Sequence, residues 1–393
     1  MQRRISMGDF KYVSDTLRHI LNDGNVGNAI AVYKDGKCLF EDYAGWSDRE
    51  NCIPISRDTM YRIYSMSKPI AYTAGLMLFE RGMFSMTDPV GDFLPEFKDA
   101  KVLHYDDKGE AYFTNAKSPI LIWHLFTMTS GIAYGTNPEA KNAGGYYAKA
   151  MRKLMDETGN EYTLAQMVSR LKNVPISFDP GTQWEYGYSA DIVGRLVEVL
   201  TGKTFYRFLK DEIFDPLDMP DTVFVMNEDQ QKRLARMYEL DPRDFSKPAI
   251  ISDMRTQPKG NSLMESGGGG LNSTLHDYCH FAQGLVCGYN GYRLLGRKTL
   301  EMMHTNQLQS EVLAQFNRFM PGYGYGCGVR TLMDRGAAHT SASLGEFGWG
   351  GAAGTYLDID PVENLSIVYM QHMMPGNNRH TEQLLRASVY GAL

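Results

Sequence analysis

A serine and a lysine three residues apart, Ser65 and Lys68, have the residue types and spacing for covalent chemistry. An apolar run at 70–79 follows them and predicts a buried helix that Ser65 opens, so that the lysine lies one turn on and can reach the serine hydroxyl. A serine is a useful nucleophile only when a neighbour takes its proton, and a lysine does so when burial or nearby positive charge disfavours its ammonium form. Alone, Ser-x-x-Lys more often marks a capped helix with a solvated lysine, so the motif needs support from the rest of the chain.

Two later stretches offer that support. In the segment 180–189, Tyr186 and Tyr188 stand two residues apart in a turn that runs into a helix, where both can point into a cleft. The alternative, purely structural role of these two tyrosines is aromatic packing. In the segment 347–354, Trp349 is followed by Gly350 and Gly351, and glycines at a strand edge let a substrate approach the backbone closely. The alternative, purely structural role of this segment is a bulge or a tight turn.

The elements that must position these residues are predicted by periodicity. Helical spacing covers 9–21, strands are expected at 25–33 and 38–44 around a hairpin turn, and a short extended run leads into Ser65. The region 83–260 predicts mostly helices and long loops, including helices at 120–126, 146–157, 164–171, 192–200 and 228–238. A four-glycine run at 267–270 precedes a helix at 275–285, and we expect a close backbone approach there rather than a phosphate site. Strands return at 324–332, 352–359 and 365–372, before a closing helix at 381–389.

Strands at both ends with helices between them predict an α+β fold, in which an antiparallel sheet is built from both chain ends, flanked by helices, and interrupted by an inserted, mostly helical domain. We expect residues 1–67 and 318–393 to form an α/β sandwich domain and residues 68–317 a mostly helical domain with long loops. The active site is expected between the two.

Composition narrows the classes of function. The 393 residues are 43% hydrophobic and 22% charged, which is ordinary for a globular protein with a full core, and the net charge of −6 gives no basic surface for nucleic acid. No apolar run is long enough to span a membrane, and the first ten residues, with Arg3 and Arg4, show no signal peptide, so a cytoplasmic location is expected. The five cysteines fit no disulfide or metal framework and are expected to be free, buried thiols.

Several ordered motifs together resemble the serine β-lactamase and penicillin-binding-protein superfamily, most closely the class C β-lactamase-like branch that includes the family VIII carboxylesterases. The order of the three main motifs matches, and the likeness runs from about residue 10 to 390. The stretches that carry it are Ser65-x-x-Lys68, Asp88-Pro89-Val90, Thr129-Ser130-Gly131, Pro180-Gly181-Thr182, Tyr186-x-Tyr188, Ser266 with the glycines 267–270, and Trp349-Gly350-Gly351.

The resemblance implies a β-lactamase/transpeptidase-like fold and a role for each motif residue. Ser65 would be the acylated nucleophile, Lys68 would receive or relay its proton, and Tyr186 would be a second base that passes the proton to the leaving group. The backbone N–H groups of Ser65 and Ala352 would form the oxyanion hole.

Two departures from the lactamase pattern bear on the substrate. Tyr188 stands where the lactamases carry Asn, and Trp349 stands where lactamases and peptidases carry Lys or His, so Tyr188, Trp349, Gly350 and Gly351 are expected to bind a neutral substrate. Both departures resemble the esterase branch and favour a carboxylesterase that works through an acyl-enzyme on short to moderate acyl esters. The alternatives are a β-lactamase or D-alanyl-D-alanine carboxypeptidase, an acyltransferase, and a non-catalytic binding module.

The expected partner is a small-molecule ester or amide, with no nucleic acid, no membrane and no cofactor, while the oligomeric state stays open. No metal is expected either, because among the nine histidines only His276-x-x-Cys279-His280 approaches a ligand spacing. On a helix that spacing is more often shared between surface and core.

Overall fold

The computed structural model describes residues 9–22, 24–240, 250–251, 263–376 and 379–393. The first eight residues, including Arg3 and Arg4, and parts of the predicted helical segment 83–260 lie outside this range. The helices are α1 (Lys11–Asn22), α2 (Ser67–Glu80), α3 (Val90–Phe93), α4 (Ile122–Phe126), α5 (Ala143–Thr158), α6 (Leu164–Arg170), α7 (Ser189–Thr201), α8 (Phe205–Leu209), α9 (Glu228–Lys232), α10 (Leu275–Val286), α11 (Arg297–Met303), α12 (Ser310–Phe319), α13 (Arg335–Ala338) and α14 (Arg379–Tyr390). Single turns of 3₁₀ helix lie at Tyr64–Met66, Pro95–Phe97 and Leu171–Asn173, and a π-helical turn lies at Lys210–Phe214.

The strands are β1 (Gly27–Lys34), β2 (Lys37–Asp48), β3 (Ile53–Pro54), β4 (Met60–Arg62), β5 (Lys101–Tyr105), β6 (Ala111–Asn115), β7 (Tyr238–Glu239), β8 (Ile250–Ile251), β9 (Asn272–Thr274), β10 (Tyr323–Tyr325), β11 (Arg330–Leu332), β12 (Phe347–Gly350), β13 (Tyr356–Asp360), β14 (Leu365–Gln371) and β15 (Met373–Met374). Eight of them form one antiparallel sheet in the order β10-β11-β12-β13-β14-β1-β2-β3. The first strand pairs with the last long one, from Asn28 opposite Gln371 to Lys34 opposite Leu365. The expected α+β fold with a sheet built from both chain ends is therefore confirmed.

Both faces of the sheet are covered, and the alternation of side chains along β1 shows how. Ala29 and Ala31 face the large core that contains α2 and α10. Ile30 and Val32 face a second core formed with α1 and α14. Because a strand buried on both sides needs apolar residues at every position, β1 has the near-continuous apolar sequence that predicted it. The division into domains at residues 67 and 318 stays a prediction.

Three expected elements differ in the structure, and tertiary contacts explain each difference. The predicted helix 228–238 ends at Lys232, because the backbone N–H of Ala235 donates to the carbonyl of Met60 (2.9 Å), and the chain then enters β7. The predicted strand 324–332 is instead the hairpin β10–β11, closed by Gly326 N–H donating to Val329 O at 2.8 Å.

The third difference concerns the sheet beside Trp349. The strand expected at 352–359 begins only at Tyr356, and 347–350, expected as a glycine-rich edge, is itself the strand β12. A Cβ at Gly348 would lie 1.8 Å from the carbonyl oxygen of Leu357 on β13, so glycine is needed for the strands to pair there. The glycines conceal a strand from any propensity argument.

The structure also contains features that bear on the expected absences. No helix among the described residues has the length and apolar character of a membrane span. All five cysteines are free, but only Cys279 and Cys327 are buried, whereas Cys38 and Cys52 are exposed, so the expectation of buried thiols is wrong for those two.

His372, at the junction of β14 and β15, links the fold to pH. The side chain is 2% exposed, and its ring packs against Tyr61 and Tyr238 with centroids 6.0 and 5.7 Å apart. Burial lowers the pKa of His372 to about 4. Because an unfolded histidine titrates near 6.5, the unfolded chain binds more protons between these values. The neutral ring therefore contributes stability that is fully present above about pH 6.5 and is lost as the pH falls towards 4.

We expect the parent protein to lose about 2–3 kcal/mol more unfolding free energy between pH 7 and 4.5 than the variant His372→Phe, which fills the same apolar site without titrating. Urea unfolding at a series of pH values measures this difference. The control is His19→Gln, which replaces a histidine on the exposed face of α1, away from the site of His372. Parallel curves for the parent and His372→Phe would show that His372 is not the titrating group.

Candidate active site

Ser65 lies in the 3₁₀ turn Tyr64–Met66, and α2 begins at Ser67, so Ser65 precedes the helix that it was expected to open. Lys68, the second residue of α2, is fully buried, and its Nζ lies 3.2 Å from Ser65 Oγ. The backbone of Tyr64 has φ 45°, a left-handed conformation that costs a residue with a Cβ about 1–2 kcal/mol. Such strain persists only where the surrounding structure enforces it. The backbone in front of Ser65 is thus held by its packing.

Ser67 is the other hydroxyl in the motif, and it points elsewhere. The residue is fully buried, and its Oγ accepts a hydrogen bond from the backbone N–H of Leu271 at 3.1 Å. Ser65, in contrast, lines open space. Of the two serines, only Ser65 is placed to meet both a substrate and Lys68.

The lysine nitrogen has two further hydrogen-bond partners. Lys68 Nζ donates to the carbonyl of Gly268 at 2.6 Å and lies 3.1 Å from the hydroxyl of Tyr134. A carbonyl only accepts, so one N–H is committed to Gly268, and a neutral amine keeps its lone pair for the proton of Ser65 or Tyr134. The sequence reasoning missed Tyr134. Its position three residues after Thr129-Ser130-Gly131 was the available signal.

The four-glycine run forms one wall of the site by close approach, as expected. A Cβ at Gly268 would lie 2.4 Å from Asp191 Oδ2 and 2.6 Å from Tyr134 Oη, and a Cβ at Gly267 would lie 2.7 Å from the carbonyl oxygen of Ala190. Asp191, in the first turn of α7, is the second site residue that the sequence reasoning missed. Its Oδ1 accepts hydrogen bonds from Ser266 Oγ (2.5 Å) and from the N–H of Gly268 (3.1 Å).

Tyr186 and Trp349 form a hydrogen-bonded pair beside Lys68. The indole Nε1–H of Trp349 donates to the Tyr186 hydroxyl at 3.0 Å, and the two rings stack with centroids 5.6 Å apart. Lys68 Nζ lies over the Tyr186 ring, 4.4 Å from its centroid. The lysine therefore contacts the face of this tyrosine, while the indole fixes the tyrosine oxygen.

Tyr188 completes the aromatic wall. Its ring meets the ring of Tyr134 edge-on, with centroids 4.5 Å apart, and also packs against Tyr147 at 5.9 Å. Burial raises the pKa of Tyr188 well above its ordinary value, so the residue stays a neutral phenol. Its contacts are those of a packed wall beside the reacting groups.

The end of β12 brings the predicted oxyanion donor to Ser65. A Cβ at Gly351 would lie 2.4 Å from the carbonyl oxygen of Ile63, so glycine at this position lets the strand end reach the segment that precedes Ser65. Ala352 is exposed. Ala352 lies outside the helices and strands, and among the described residues its N–H donates to no backbone carbonyl. This N–H is available to a substrate oxygen, whereas the requirement for Gly351 is one of packing.

Two cavities meet at Ser65 and Ala352, which line both. The larger, here called the methionine cavity, has a volume of about 770 Å³. Its other lining residues include Tyr134, Met151, Met155, Met167, Tyr188, Asp191 and Met264. The smaller, here called the aromatic cavity, has a volume of about 530 Å³. Its other lining residues include Trp184, Tyr186, Phe319, Trp349, Gly350 and Tyr356. A molecule with a reactive carbonyl between two groups fits this geometry, with one group on each side of Ser65.

Two arginines, Arg330 and Arg335, are candidates for the cation that Trp349 does not supply, while Arg152 lines the methionine cavity. Arg330 lines the aromatic cavity, but its guanidinium is buried and paired with the carboxylates of Glu346 (3.0 Å) and Asp358. Arg335 lies on the short helix α13 and lines neither cavity among the described residues. Neither arginine substitutes for the lysine or histidine that Trp349 replaces.

The structure gives the histidine cluster on α10 a different set of contacts. His280 Nδ1 lies 2.9 Å from the carbonyl of Leu217, and its Nε2 lies 2.7 Å from the hydroxyl of Tyr289. Across the described residues, no group of three or more His, Cys, Asp and Glu side chains is arranged to hold a metal ion.

Comparison with known proteins identifies the family. The family model described as Beta-lactamase matches residues 13–390, nearly the whole chain. The chain belongs to the Beta-lactamase family. The match extends from α1 to the end of α14, so it includes the sheet and every site residue named above.

Individual relatives match this chain over most of its length and most of their own. Protein Rv1367c of Mycobacterium tuberculosis is 29% identical over 91% of this chain and 88% of its own length. Esterase EstB of Burkholderia gladioli is 28% identical over 88% of this chain and 85% of its own. The solved structure of EstCE1, described as a hydrolase with promiscuous acyltransferase activity, covers 97% of this chain and 98% of its own, with a TM-score of 0.78 and 24% identity. The last comparison shows a shared fold and confirms the expected β-lactamase-like architecture.

Proposed function

We propose that this member of the Beta-lactamase family is a serine hydrolase that cleaves small-molecule carboxylic esters of short to moderate acyl length through an acyl-enzyme. The observation that carries the proposal is the 3.2 Å contact between Lys68 Nζ and Ser65 Oγ, at the point where the two cavities meet. A buried amine at this distance can take the serine proton as the oxygen attacks. The similarity to Esterase EstB supports the same class of reaction.

The reaction follows from the positions of the groups. Ser65 Oγ bonds to the ester carbonyl carbon while its proton passes to Lys68. The carbonyl oxygen becomes an oxyanion that accepts from the N–H groups of Ser65 and Ala352. The alcohol leaves with a proton supplied through Tyr186, whose oxygen is held by Trp349. Water then bonds to the acyl carbon and gives a proton to the same base. The bond between Ser65 Oγ and the acyl carbon breaks, Oγ regains its proton, and the carboxylic acid leaves.

A second candidate is acyl transfer, and the paired cavities favour it. Ser65 and Ala352 line both cavities, so an acyl group held on one side of Ser65 leaves the other side open to an incoming alcohol or amine. Transfer differs from hydrolysis only in which nucleophile reaches the acyl-enzyme. The description of EstCE1 as a hydrolase with promiscuous acyltransferase activity is in keeping with this candidate.

Trp349 gives the test of substrate class. A cation at this position would bind a substrate carboxylate with a charge-assisted hydrogen bond worth about 1.5–3 kcal/mol, or roughly 10–150-fold in binding. Indole has one neutral N–H, which here is used by Tyr186. We therefore expect kcat/KM for p-nitrophenyl butyrate to exceed that for nitrocefin, an anionic β-lactam, by orders of magnitude. In Trp349→Lys the gap should narrow by roughly 10–150-fold.

The control is Trp349→Phe, which keeps an aromatic wall but has no N–H for Tyr186. It should slow ester turnover and bring no gain with nitrocefin. Efficient nitrocefin turnover by the parent would assign the protein to the β-lactamases instead, and absence of turnover with any ester would leave the scaffold as a binding module.

A further inference from the structure

The buried amine of Lys68 has hydrogen-bond partners that are all formally neutral. Its Nζ contacts Ser65 Oγ, the Tyr134 hydroxyl and the Gly268 carbonyl, and the residue has no solvent exposure. None of these three contacts is with a carboxylate. An ammonium buried without compensating charge is strongly disfavoured. When Lys68 takes the serine proton, some nearby negative charge must balance it.

Asp191 is placed to balance the charge of Lys68, with Gly268 lying between the two side chains. The side chain is 1% exposed, and its Oδ1 accepts the N–H of Gly268 at 3.1 Å, while the carbonyl of the same glycine accepts from Lys68 at 2.6 Å. Gly268 is thus held at its nitrogen by the carboxylate and at its oxygen by the amine. Burial raises the pKa of the Asp191 carboxyl, while the hydrogen bond from Ser266 and the electrostatic attraction of Lys68 act against that rise.

The glycine makes this arrangement possible. A Cβ at Gly268 would lie 2.4 Å from Asp191 Oδ2, so any other residue there would displace the carboxylate. Ser266 Oγ donates to Asp191 Oδ1 at 2.5 Å and fixes its orientation. The motif therefore brings a buried carboxylate close to the catalytic lysine.

The other titratable side chains packed against the pair are phenols, while Arg152 and Asp156 line the methionine cavity that Asp191 also lines. Tyr72, Tyr134 and Tyr188 face Asp191, and Tyr134 and Tyr186 face Lys68. Burial raises the pKa of Tyr72, Tyr134 and Tyr188 well above the ordinary value, so these groups stay neutral. Among the residues that the structure describes around Lys68, Asp191 is therefore the group that can carry a negative charge beside it.

We propose that Asp191 is a positioning residue that balances the charge of Lys68 across Gly268, and so sets the pH at which Lys68 accepts the Ser65 proton. In the acylation step the O–H bond of Ser65 breaks and its proton bonds to Lys68 Nζ. A bond forms between the serine oxygen and the acyl carbon, and the π electrons of the carbonyl move to the carbonyl oxygen. The resulting ammonium faces the Asp191 carboxylate. This inference rests on the proposed function for its kinetic consequence, though not for the charge coupling itself.

The kinetic test is the variant Asp191→Asn, which keeps an oxygen acceptor for Ser266 and Gly268 but removes the charge. An opposite charge nearby shifts a titration by about 1–3 pH units. Because loss of Asp191 disfavours the ammonium form, the acid limb of kcat/KM for p-nitrophenyl butyrate should move about one pH unit or more lower. Ser266→Ala, which loosens the same carboxylate without removing its charge, should leave the limb in place.

A purely structural role for Asp191 would lower kcat/KM at every pH without moving the acid limb of the profile. An acid limb that stays in place or moves to higher pH in Asp191→Asn would overturn the inference.

A second measurement does not depend on catalysis or on the stability of one variant. In a double-mutant unfolding cycle with Lys68→Met and Asp191→Asn, each single variant leaves one buried charge uncompensated. The double variant should therefore be more stable than Lys68→Met alone at pH 8.

Additive losses in this cycle would also overturn the inference. Because unfolding requires no acyl-enzyme, a protein that fails to hydrolyse any ester but shows the coupling would refute only the proposed function. A protein that hydrolyses esters but lacks both the coupling and the shifted limb would refute only the role of Asp191.

Discussion

Ser65→Ala is expected to abolish ester turnover and covalent labelling by a fluorophosphonate. The hydroxyl of Ser65 lies beside Lys68 Nζ at the junction of the two cavities, and alanine leaves nothing to form the acyl bond. Removal of a serine nucleophile costs on the order of 10⁶-fold in kcat. Turnover of p-nitrophenyl butyrate, intact mass after brief exposure to the ester, and a peptide map of the labelled parent measure the three consequences.

The matched control is Ser67→Ala. Ser67 is buried and its oxygen accepts from Leu271 N–H, so its loss should lower stability moderately while Ser65 is still labelled. A label found on Ser67, or full labelling of Ser65→Ala, would contradict the assignment of the nucleophile.

Tyr186→Phe is expected to lower kcat by about 10²–10⁴-fold, because a positioned proton-transfer group typically contributes that much. The structure strengthens the reason for this expectation, since Trp349 Nε1–H donates to the Tyr186 oxygen and orients the hydroxyl at the wall of the aromatic cavity. Steady-state kinetics with p-nitrophenyl butyrate gives the loss, and circular dichroism checks that the fold is unchanged.

Two other tyrosines serve as comparisons. Tyr188→Phe should cost much less, since Tyr188 serves as an aromatic wall against Tyr134 and Tyr147. Tyr134→Phe removes a hydroxyl that lies 3.1 Å from Lys68 Nζ. A large loss of kcat in Tyr134→Phe, together with nearly full activity in Tyr186→Phe, would show that the proton leaves Lys68 through Tyr134. Our assignment of Tyr186 as the second base would then be wrong.

Much of this architecture is readable from the sequence for local reasons. The sequence predicted a strand at 25–33, which is β1, although not that both of its faces are buried. Gly202 ends α7 in a left-handed conformation, with φ 69°, where the sequence predicted a stop. The site motifs are likewise short segments whose order along the chain carries the information. Ser65 and Lys68 lie within one turn of each other, so their contact needed no knowledge of the rest of the fold.

Other parts could not be read in this way, because they depend on contacts between distant segments. Tyr134 contacts Lys68, and Asp191 is linked to Lys68 through Gly268, because the glycine run packs between α2 and α7. The strand β12 has the glycines that its neighbour β13 requires, and these suppress the propensity signal of a strand. The helix predicted at 228–238 ends early because its continuation pairs with Met60. In each case a tertiary contact decides what local preference leaves open.

The pairing of β1 with β14 has a consequence for how the protein comes into being. The central strands of the sheet, β1 and β14, come from opposite ends of the chain. Both predicted oxyanion donors are present only when Ala352, which follows β12, has packed beside Ser65. Contacts so far apart in sequence are made late, because the entropy of closing the long intervening chain must first be overcome. A nascent chain that still lacks its C-terminal strands has the serine and the lysine but no completed oxyanion hole. Reactivity of Ser65 towards esters should therefore arise only once synthesis is nearly finished.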